Sequence, residues 1–411
     1  MAFPDDSPDP PRDGAATVRN VRFVLQSDFA SNSATHVHAL ANALCAAGCD
    51  CQVLIDGDVA SAATLSAARY RIATYADALA GHAAAAFADG RPPDIVHAWT
   101  PRERVRKFCL ALGCANGSRP PHLIVHLEDN EEQLLEASFK KKMRHLRALD
   151  RATLDAIVPP HLCDPHRYRD FLRAADGATV LIDRLEEFLP PDAPRCVFWP
   201  AADEALFHPR PANLSLRKQL GIQENDAVFV YTGNVHESNA REVRSLYLAV
   251  ALLNRAGRPT KLVRAGSDWT TFLGEDTQWA RDFTIALGPQ PHHRVPELLA
   301  LADVLVQPGR PDPFNDYRFP SKLPEFFAMG KPIILPASNV GLRVEHGRHA
   351  WVLPQADATS IADAATHLLD DAPLRLQLAV GALEFADEHF SWKKNADTVL
   401  AFYRRLARST Q

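Results

Sequence analysis

One segment in the last quarter of the chain brings together an acid, a cation and the start of a helix. Glu325 lies in an apolar stretch that begins directly after Ser321 and Lys322. Gly330 ends this stretch, and the aliphatic run 333–335 follows. The order predicts a loop, a helix, a glycine cap and a buried strand. A carboxylate, an ammonium group and free amides at a helix start can together bind a sugar ring that carries a phosphate.

Strand-like runs alternate with helical stretches in both halves of the chain, and these elements must position the segment. The predicted strands are 21–25, 52–55, 94–97, 122–126, 156–158 and 178–182 in the first half, and 227–231, 261–264, 284–287, 304–306 and 333–335 in the second. Consecutive βα units of this kind predict parallel, doubly wound sheets. Ligands of such sheets bind beyond the carboxyl ends of the strands.

A proline-rich passage, 189–211, interrupts this alternation and predicts a boundary between two domains. A chain of 411 residues has the length of two medium domains. The predicted organisation is a disordered tail in 1–20, a first domain in 21–208, a second domain in 209–390 and a carboxyl-terminal segment in 391–411 with a helix at 396–407.

Composition and charge exclude several classes of protein. A formal net charge of -5 argues against a dedicated nucleic-acid binder. No apolar run is long enough to predict a membrane-spanning helix, and the amino terminus lacks the basic and apolar regions of a secretory signal. The seven cysteines contain no paired CxxC motif, so we expect free thiols in a reducing cytoplasm.

The segment around Glu325 resembles the nucleotide-binding signature of retaining GT-B glycosyltransferases of the family 4 type. In that family a glutamate shortly before a Gly-Lys-Pro turn, here Gly330-Lys331-Pro332, binds the ribose hydroxyls of a nucleotide-sugar. The passage 198–209 is similar to the segment that closes the first domain of these enzymes. The resemblance is strongest over 198–392. It implies the GT-B fold, an α/β architecture of two Rossmann-like, doubly wound parallel-sheet domains that face a central cleft, with a last helix that returns to the first domain.

The resemblance also implies a nucleoside-diphosphate-sugar as the donor, bound by the second domain. The residues that it assigns to the donor are Gly233, Asn234, Arg241, Gln290, Arg318, Ser321, Lys322, Leu323 and Glu325. Lys322 would also stabilise the negative charge that develops as the diphosphate departs, and it therefore counts as a catalytic candidate.

The chain departs from the family pattern at the position that contacts the sugar. The family has a second glutamate eight residues before the ribose glutamate, and this chain has Tyr317 there. Asp312 begins an Asp-Pro-Phe sequence that resembles the usual Glu-Pro-Phe-Gly with extra residues inserted. Asp312 or Asp316 is therefore the catalytic candidate for the sugar contact, and the sequence does not choose between them.

A second departure lies in the turn after the first strand of the second domain. The family usually has Gly-Arg there, followed by a lysine, and both cations contact the diphosphate. Here Asn234 follows Gly233, and no lysine follows. Lys322 or Arg241 would have to compensate for the missing charge.

Acceptor-side candidates follow strands of the first domain. His126 ends a predicted strand, where family members often carry a histidine that faces the sugar, and it is the third catalytic candidate. Glu128 and Asp129 could contact an acceptor. They could equally belong to an ordinary helix start, where acids are favoured.

A basic segment, 139–151, interleaves six lysines and arginines with apolar residues and predicts one amphipathic helix. Such a helix either faces solvent or rests on an anionic membrane that carries a lipid-linked acceptor. No metal site is expected, because the His292-His293 pair has no carboxylate cluster beside it and Asp56-Gly57-Asp58 is typical of a turn.

These features favour a cytoplasmic glycosyltransferase, in peripheral contact with the inner membrane face if the basic segment binds lipid. The expected reaction moves a hexose-type sugar to a glycan or lipid-linked acceptor with retention of configuration, without a metal or other cofactor. A non-catalytic nucleotide-sugar-binding or scaffold protein is one alternative, which the loss of the basic turn would support. A sugar-nucleotide epimerase is the other, and it would need an acid/base set that the sequence does not single out.

Overall fold

A computed structural model of the chain describes residues 18–29, 31–65, 67–82, 86–114 and 120–409. Its strands are β1 (Asn20–Leu25), β2 (Asp50–Ile55), β3 (Arg71–Thr74), β4 (Ile95–Trp99), β5 (His122–Leu127), β6 (Gly177–Val180), β7 (Arg195–Val197), β8 (Ala227–Thr232), β9 (Thr260–Ala265), β10 (Thr284–Gly288), β11 (Val304–Val306), β12 (Ile333–Pro336) and β13 (Trp351–Leu353). They form a seven-stranded sheet in the order β3-β2-β1-β4-β5-β6-β7 and a six-stranded sheet in the order β10-β9-β8-β11-β12-β13. All pairs within the two sheets are parallel.

Helices connect the strands and cover both sheets. They are α1 (Asn32–Ala46), α2 (Tyr75–Leu79), α3 (Glu103–Cys114), α4 (Glu131–Phe139), α5 (Met143–Arg147), α6 (Arg151–Ile157), α7 (Arg167–Ala174), α8 (Leu214–Gln219), α9 (Ala240–Arg255), α10 (Val295–Ala300), α11 (Leu323–Ala328), α12 (Ala358–Asp370), α13 (Ala372–His389) and α14 (Trp392–Ser409). The central strands β1 and β4 are buried along their whole length, as expected for parallel strands covered on both faces. The predicted pair of doubly wound parallel sheets is therefore confirmed. The boundary at 208 falls in the connection between β7 and β8 and stays a prediction.

The strand predictions failed mainly at the sheet edges. The short strands β3, β7 and β13 were missed, and each of them lies at an edge of its sheet. Edge strands are commonly short and less apolar, so they give a weaker pattern than central strands. The predicted strand at 156–158 is wrong, because this stretch ends α6, which begins where the Asp150 side chain accepts a hydrogen bond from the Thr153 amide.

The prediction of one basic amphipathic helix over 139–151 is also wrong. This stretch contains the end of α4, all of α5 and the start of α6, with turns between them. Several of its cations are paired with acids of the same domain. Arg147 lies 2.7 Å from Glu132, and Arg151 pairs with Asp164.

The prediction of a disordered tail over residues 1–20 is tested only in part. Residues 1–17 of the predicted tail lie outside the described residues. The remaining part is ordered, since Val18 is buried and Asn20 begins β1. None of the helices in the described ranges is long and apolar enough to cross a bilayer. The described cysteines for which a state is recorded are free, and all of them except Cys45 are buried.

The last helix, α14, is longer than predicted and packs against α1 and β7 of the first sheet. Its entirely buried Tyr403 forms a 2.7 Å hydrogen bond with Nδ1 of His97 in β4. At its start, the Asn395 amide donates to the Trp199 carbonyl at 2.6 Å. The end of the chain is therefore held to the first domain by buried polar contacts as well as by apolar packing.

Replacing Tyr403 by Phe tests this attachment. The substitution removes the hydroxyl and leaves a buried His97 nitrogen without its partner, so the free energy of unfolding should fall by about 1–3 kcal/mol. Urea unfolding of Tyr403→Phe measures the loss. Equal stability of Tyr403→Phe and wild type would contradict the prediction.

Candidate functional site

The segment around Glu325 has the predicted order of elements. Lys322 precedes α11, Glu325 lies in its first turn, and Pro324 occupies a position where a helix needs no amide hydrogen. Gly330 ends the segment with φ at +60° and leads into the buried strand β12. A Cβ at this glycine would meet the Leu383 side chain at 3.0 Å, so both backbone angle and packing favour glycine here.

Glu325 is paired with His292, one of the two adjacent histidines at which the sequence predicted no metal site. Its Oε1 lies 3.0 Å from Nε2 of His292, which begins the short turn before α10. The hydrogen bond that His292 donates to the Glu325 carboxylate raises the pKa of His292. The Glu325 side chain is 18% exposed. The pairing joins the turn after β10 to the first turn of α11.

Lys322 crosses the turn that follows β8. Its Nζ lies 4.6 Å from the ring centroid of Tyr231 and 3.4 Å from the tyrosine hydroxyl. A Cβ placed on Gly233 would come within 3.3 Å of the lysine Cε, and Gly233 has a φ of +132°. The backbone angle therefore favours glycine at this position, and the lysine passes close to it.

Asn234 serves the turn itself. Its Oδ1 accepts a hydrogen bond from the Ser267 amide at 2.9 Å, and its carbonyl accepts one from the Asn239 side chain at 3.0 Å. The residue that replaces the family's arginine is thus tied into the backbone of the second domain. Arg241 lies exposed in the first turn of α9.

Glu242, which sequence reasoning missed, holds the polar loop that precedes Ser321. Its Oε1 accepts a 2.5 Å hydrogen bond from the Asn315 amide, and its Oε2 lies 3.9 Å from Nη2 of Arg318. Burial raises the pKa of Glu242, and the Arg318 guanidinium opposes that shift. The only sequence signal was an acid in the first turn of a helix that follows a glycine turn.

The two aspartates proposed for the sugar contact differ in their surroundings. Asp312 turns back on its own loop, where its Oδ1 accepts from the backbone amide of Asn315 at 2.9 Å. Its Oδ2 accepts from Arg310 at 3.2 Å. Asp316 lies four residues further on, and burial raises the pKa of its carboxyl. Asp312 thus shapes the loop, and Asp316 has the less engaged carboxyl.

Tyr317 connects the two domains. Its hydroxyl donates to Oε2 of Glu187 at 2.7 Å, and the Arg184 guanidinium lies over its ring at 5.4 Å. Arg343 of the second domain pairs with Asp183 beside this contact. The position at which the family carries a sugar-binding glutamate therefore makes an interdomain contact here.

His126 lies in the interior of the first domain. It belongs to β5, is entirely buried, and stacks on Trp99 with ring centroids 3.9 Å apart. Its Nδ1 bonds the Thr179 hydroxyl at 2.7 Å, and its Nε2 has no hydrogen-bond partner among the described residues. Burial lowers the pKa of His126 to about 3, so the ring is neutral near pH 7.

Glu128 is a buried junction at the end of β5. Its carboxylate accepts hydrogen bonds from Trp99 Nε1 at 2.7 Å and from the Ser33 hydroxyl, and it lies 2.9 Å from Nδ1 of His36. Burial alone would raise the pKa of Glu128, but the hydrogen bond and charge of His36 outweigh burial and lower it to about 2. Both oxygens of the Glu128 carboxylate therefore have hydrogen-bond partners within the protein, which supports a structural role for this acid.

The remaining predicted residues are dispersed around α11. Ser321 is exposed, Leu323 is wholly buried and donates its amide to the Pro320 carbonyl, and Gln290 donates to the Leu287 carbonyl at 2.8 Å. Within the described ranges, no group of three or more metal-ligating side chains is present.

Asp56-Gly57-Asp58 forms the predicted turn. Asp56 pairs with Arg104 at 2.7 Å, and the Asp58 side chain accepts from the Ala60 amide at the start of a 3-10 turn. Both acids therefore have local structural roles.

Comparison with known proteins identifies relatives of part of the chain. Residues 226–371, which contain the whole second sheet, match the model of the family Glycosyl transferases group 1. D-inositol 3-phosphate glycosyltransferase of Stackebrandtia nassauensis is 28% identical over 219 residues, which cover 50% of this chain and 47% of that protein. The chain thus spans about half the length of the curated relatives it matches.

Solved structures cover almost the whole chain. Sucrose-phosphate synthase from Thermosynechococcus elongatus superimposes with a TM-score of 0.67 at 16% identity, over 95% of this chain and 100% of that one. Anabaena Alr3699/HepE in complex with UDP and glucose gives a TM-score of 0.65 at 14% identity, over 95% and 99%. At these identities the likeness shows the fold. The chain therefore has the GT-B fold, and residues 226–371 match the family Glycosyl transferases group 1.

Proposed function

We propose that this chain is a glycosyltransferase that moves a hexose-type sugar from a nucleoside-diphosphate-sugar to a hydroxyl of a glycan or lipid-linked acceptor, with retention of configuration. The observation that carries the proposal is the placement of Glu325 in the first turn of α11 and of Lys322, directly before this helix, against the Gly233 turn. One residue supplies a carboxylate for a diol, and the other supplies a cation at a turn where glycine permits close approach of a ligand. The UDP and glucose bound by HepE, a protein of the same fold, support a donor of this class.

Each group of the donor has a proposed partner in the second domain. Glu325 accepts hydrogen bonds from the two ribose hydroxyls, and His292 must give up its bond to that carboxylate when the ribose arrives. Lys322 and Arg318 hold the diphosphate, while Gln290 lies on the side of the base.

The proposed chemistry needs no protein nucleophile. As the bond between the sugar and the diphosphate breaks, Lys322 and Arg318 stabilise the negative charge that appears on the leaving group. The departing phosphate accepts the acceptor's proton on the same face, which preserves the anomeric configuration. Asp316 is the favoured sugar contact, because Asp312 is engaged by its own loop. The reaction is proposed to run without a metal or other cofactor.

On the acceptor side, His126 stays a proposal. Its ring is neutral, and its unpaired Nε2 is available to a hydroxyl only if the surrounding side chains move. Peripheral contact with an anionic cytoplasmic membrane is proposed in a narrower form, through the exposed cations Lys140, Lys141 and Arg144.

A non-catalytic nucleotide-sugar binder is the second candidate. The structural use of Asn234, in place of a cation that would face the diphosphate, favours it. Turnover with a bound donor separates the two candidates, since a binder would release neither free sugar nor nucleoside diphosphate.

Replacing Glu325 by Ala should abolish stabilisation by nucleotide-sugars. Binding at a hundredfold excess over the dissociation constant stabilises a folded protein by about 2.7 kcal/mol, which thermal unfolding detects. A panel of UDP-, GDP-, ADP- and dTDP-sugars on the wild type would name the base. Glu224→Ala is the control, because this exposed acid lies before the amino end of β8, opposite the carboxyl ends of the strands. A full nucleotide response in Glu325→Ala would contradict the proposed ribose site.

Replacing Lys322 by Met should lower kcat more than it raises the donor KM. Loss of one group that stabilises developing charge typically costs about 3–4 kcal/mol of barrier, or a factor of several hundred in rate. Steady-state kinetics measures the change, with Lys218→Met in α8 as a control for loss of a surface lysine. An unchanged kcat would remove Lys322 from the proposed chemistry.

The donor affinity should rise with pH across the titration of His292. Glu325 raises the pKa of His292, so below that pKa the protonated ring holds the carboxylate and competes with ribose. Above it the neutral ring releases Glu325 more easily, and the donor binds more tightly. Calorimetric titration between pH 6 and pH 9 should show this step in the wild type. In His292→Gln the step should be absent, and its persistence there would assign it to another group.

A further inference from the structure

Arg318 lies between carboxylates of both domains. On the donor side its Nη2 is 3.9 Å from Oε2 of Glu242, at the start of α9. On the acceptor side it lines a narrow cavity together with Asp129, which follows β5. Burial raises the pKa of Asp129, the Arg102 guanidinium opposes that shift, and the charge of Arg318 opposes it as well. A single guanidinium is thus within electrostatic reach of an acid from each domain.

Glu242 also fixes the loop from which Arg318 extends. Its other oxygen accepts the Asn315 amide at 2.5 Å, and the Asn315 carbonyl accepts a bond from the Asn339 side chain at 3.1 Å. The Glu242 side chain is 11% exposed and that of Arg318 is 19% exposed. An ion pair this sheltered from water is screened less than a surface pair, so the acid can hold the orientation of the guanidinium.

The turn after β8 is where the missing cations would be needed. Burial lowers the pKa of His236 in this turn, and the positive charges of Arg318 and Lys322 lower it further. Both cations therefore act on the same short stretch, although they come from different positions of the loop before α11. Asn234 contributes no charge here.

We propose that Glu242 is a positioning residue that keeps Arg318 on the donor side of the cleft, so that Arg318 supplies the second diphosphate cation in place of the one that Asn234 removes. The proposal rests on the proposed function. Without the negative charge of Glu242, Asp129 still attracts the guanidinium toward the first domain, although its Oδ2 already accepts a 3.0 Å hydrogen bond from Arg102. Glu242 would therefore act on the donor only through Arg318.

The test is a set of donor affinities by calorimetry, with the nucleotide-sugar that binds the wild type. Glu242→Gln keeps the size of the side chain and removes its charge, and it should weaken binding about tenfold, in the range expected for one charged contact. In an Arg318→Ala background the same change should have no further effect. Adding Asp129→Asn to Glu242→Gln should recover most of the affinity, because the competing acid is gone. Glu237→Gln, an exposed acid of the same turn, is the matched control.

A purely structural role for Glu242 predicts different results. In that case Glu242→Gln would weaken donor binding equally with and without Arg318. Adding Asp129→Asn would then recover none of the lost affinity. Either result overturns the proposal, as does unchanged affinity in Glu242→Gln. Thermal unfolding without ligand checks that each variant is folded, and Glu242→Asp, which retains the charge and should keep most of the affinity, replaces Glu242→Gln if that variant does not fold. Failure of the wild type to bind any nucleotide-sugar would instead refute the proposed function itself.

Discussion

The parallel direction of the strands is the constraint on which the rest of this structure depends. In a parallel sheet the carboxyl ends of all strands lie on the same side. Every connection that follows a strand therefore places its first residues in the same region. Gly233 follows β8, His292 follows β10 and the loop 307–322 follows β11. Glu128 in the same way follows β5 of the first sheet. The parallel sheets alone therefore bring side chains that are distant in sequence into the same region.

The turn after β8 carries Asn234 where the resembled family has a cation, and we propose that the loop before α11 supplies the missing charge. Lys322 passes close to Gly233 in this turn, and Arg318 lies 3.9 Å from Glu242. The same loop carries Tyr317, which bonds Glu187 in the first domain. The loop therefore combines two tasks, the presentation of cations and the contact between domains, and a change in one is expected to affect the other.

Prediction from the sequence succeeded for elements whose pattern has a single physical cause, such as burial on both faces of a strand. The central strands are buried on both faces, so their aliphatic runs were recognisable, whereas the edge strands β3, β7 and β13 were missed. The prediction of one amphipathic helix over 139–151 failed, because it relied on composition alone. In the structure, cations of this stretch pair with acids elsewhere in the first domain, as Arg151 does with Asp164. The segment with Glu325 was predicted with its order of elements intact, because glycine, proline and the apolar run all act locally.

By itself the sequence determined the two parallel sheets, the helix with Glu325, the glycine turn and the absence of the expected cation at Asn234. These are properties of neighbouring residues and of periodic burial, which short-range pattern expresses. Only the tertiary structure decided the partners of these groups. His292 pairs with Glu325, Glu242 holds Arg318, and His126 lies buried on Trp99. Each of these contacts joins residues that are dozens of positions apart or on separate elements, and their distance and burial exist only after the sheets have formed.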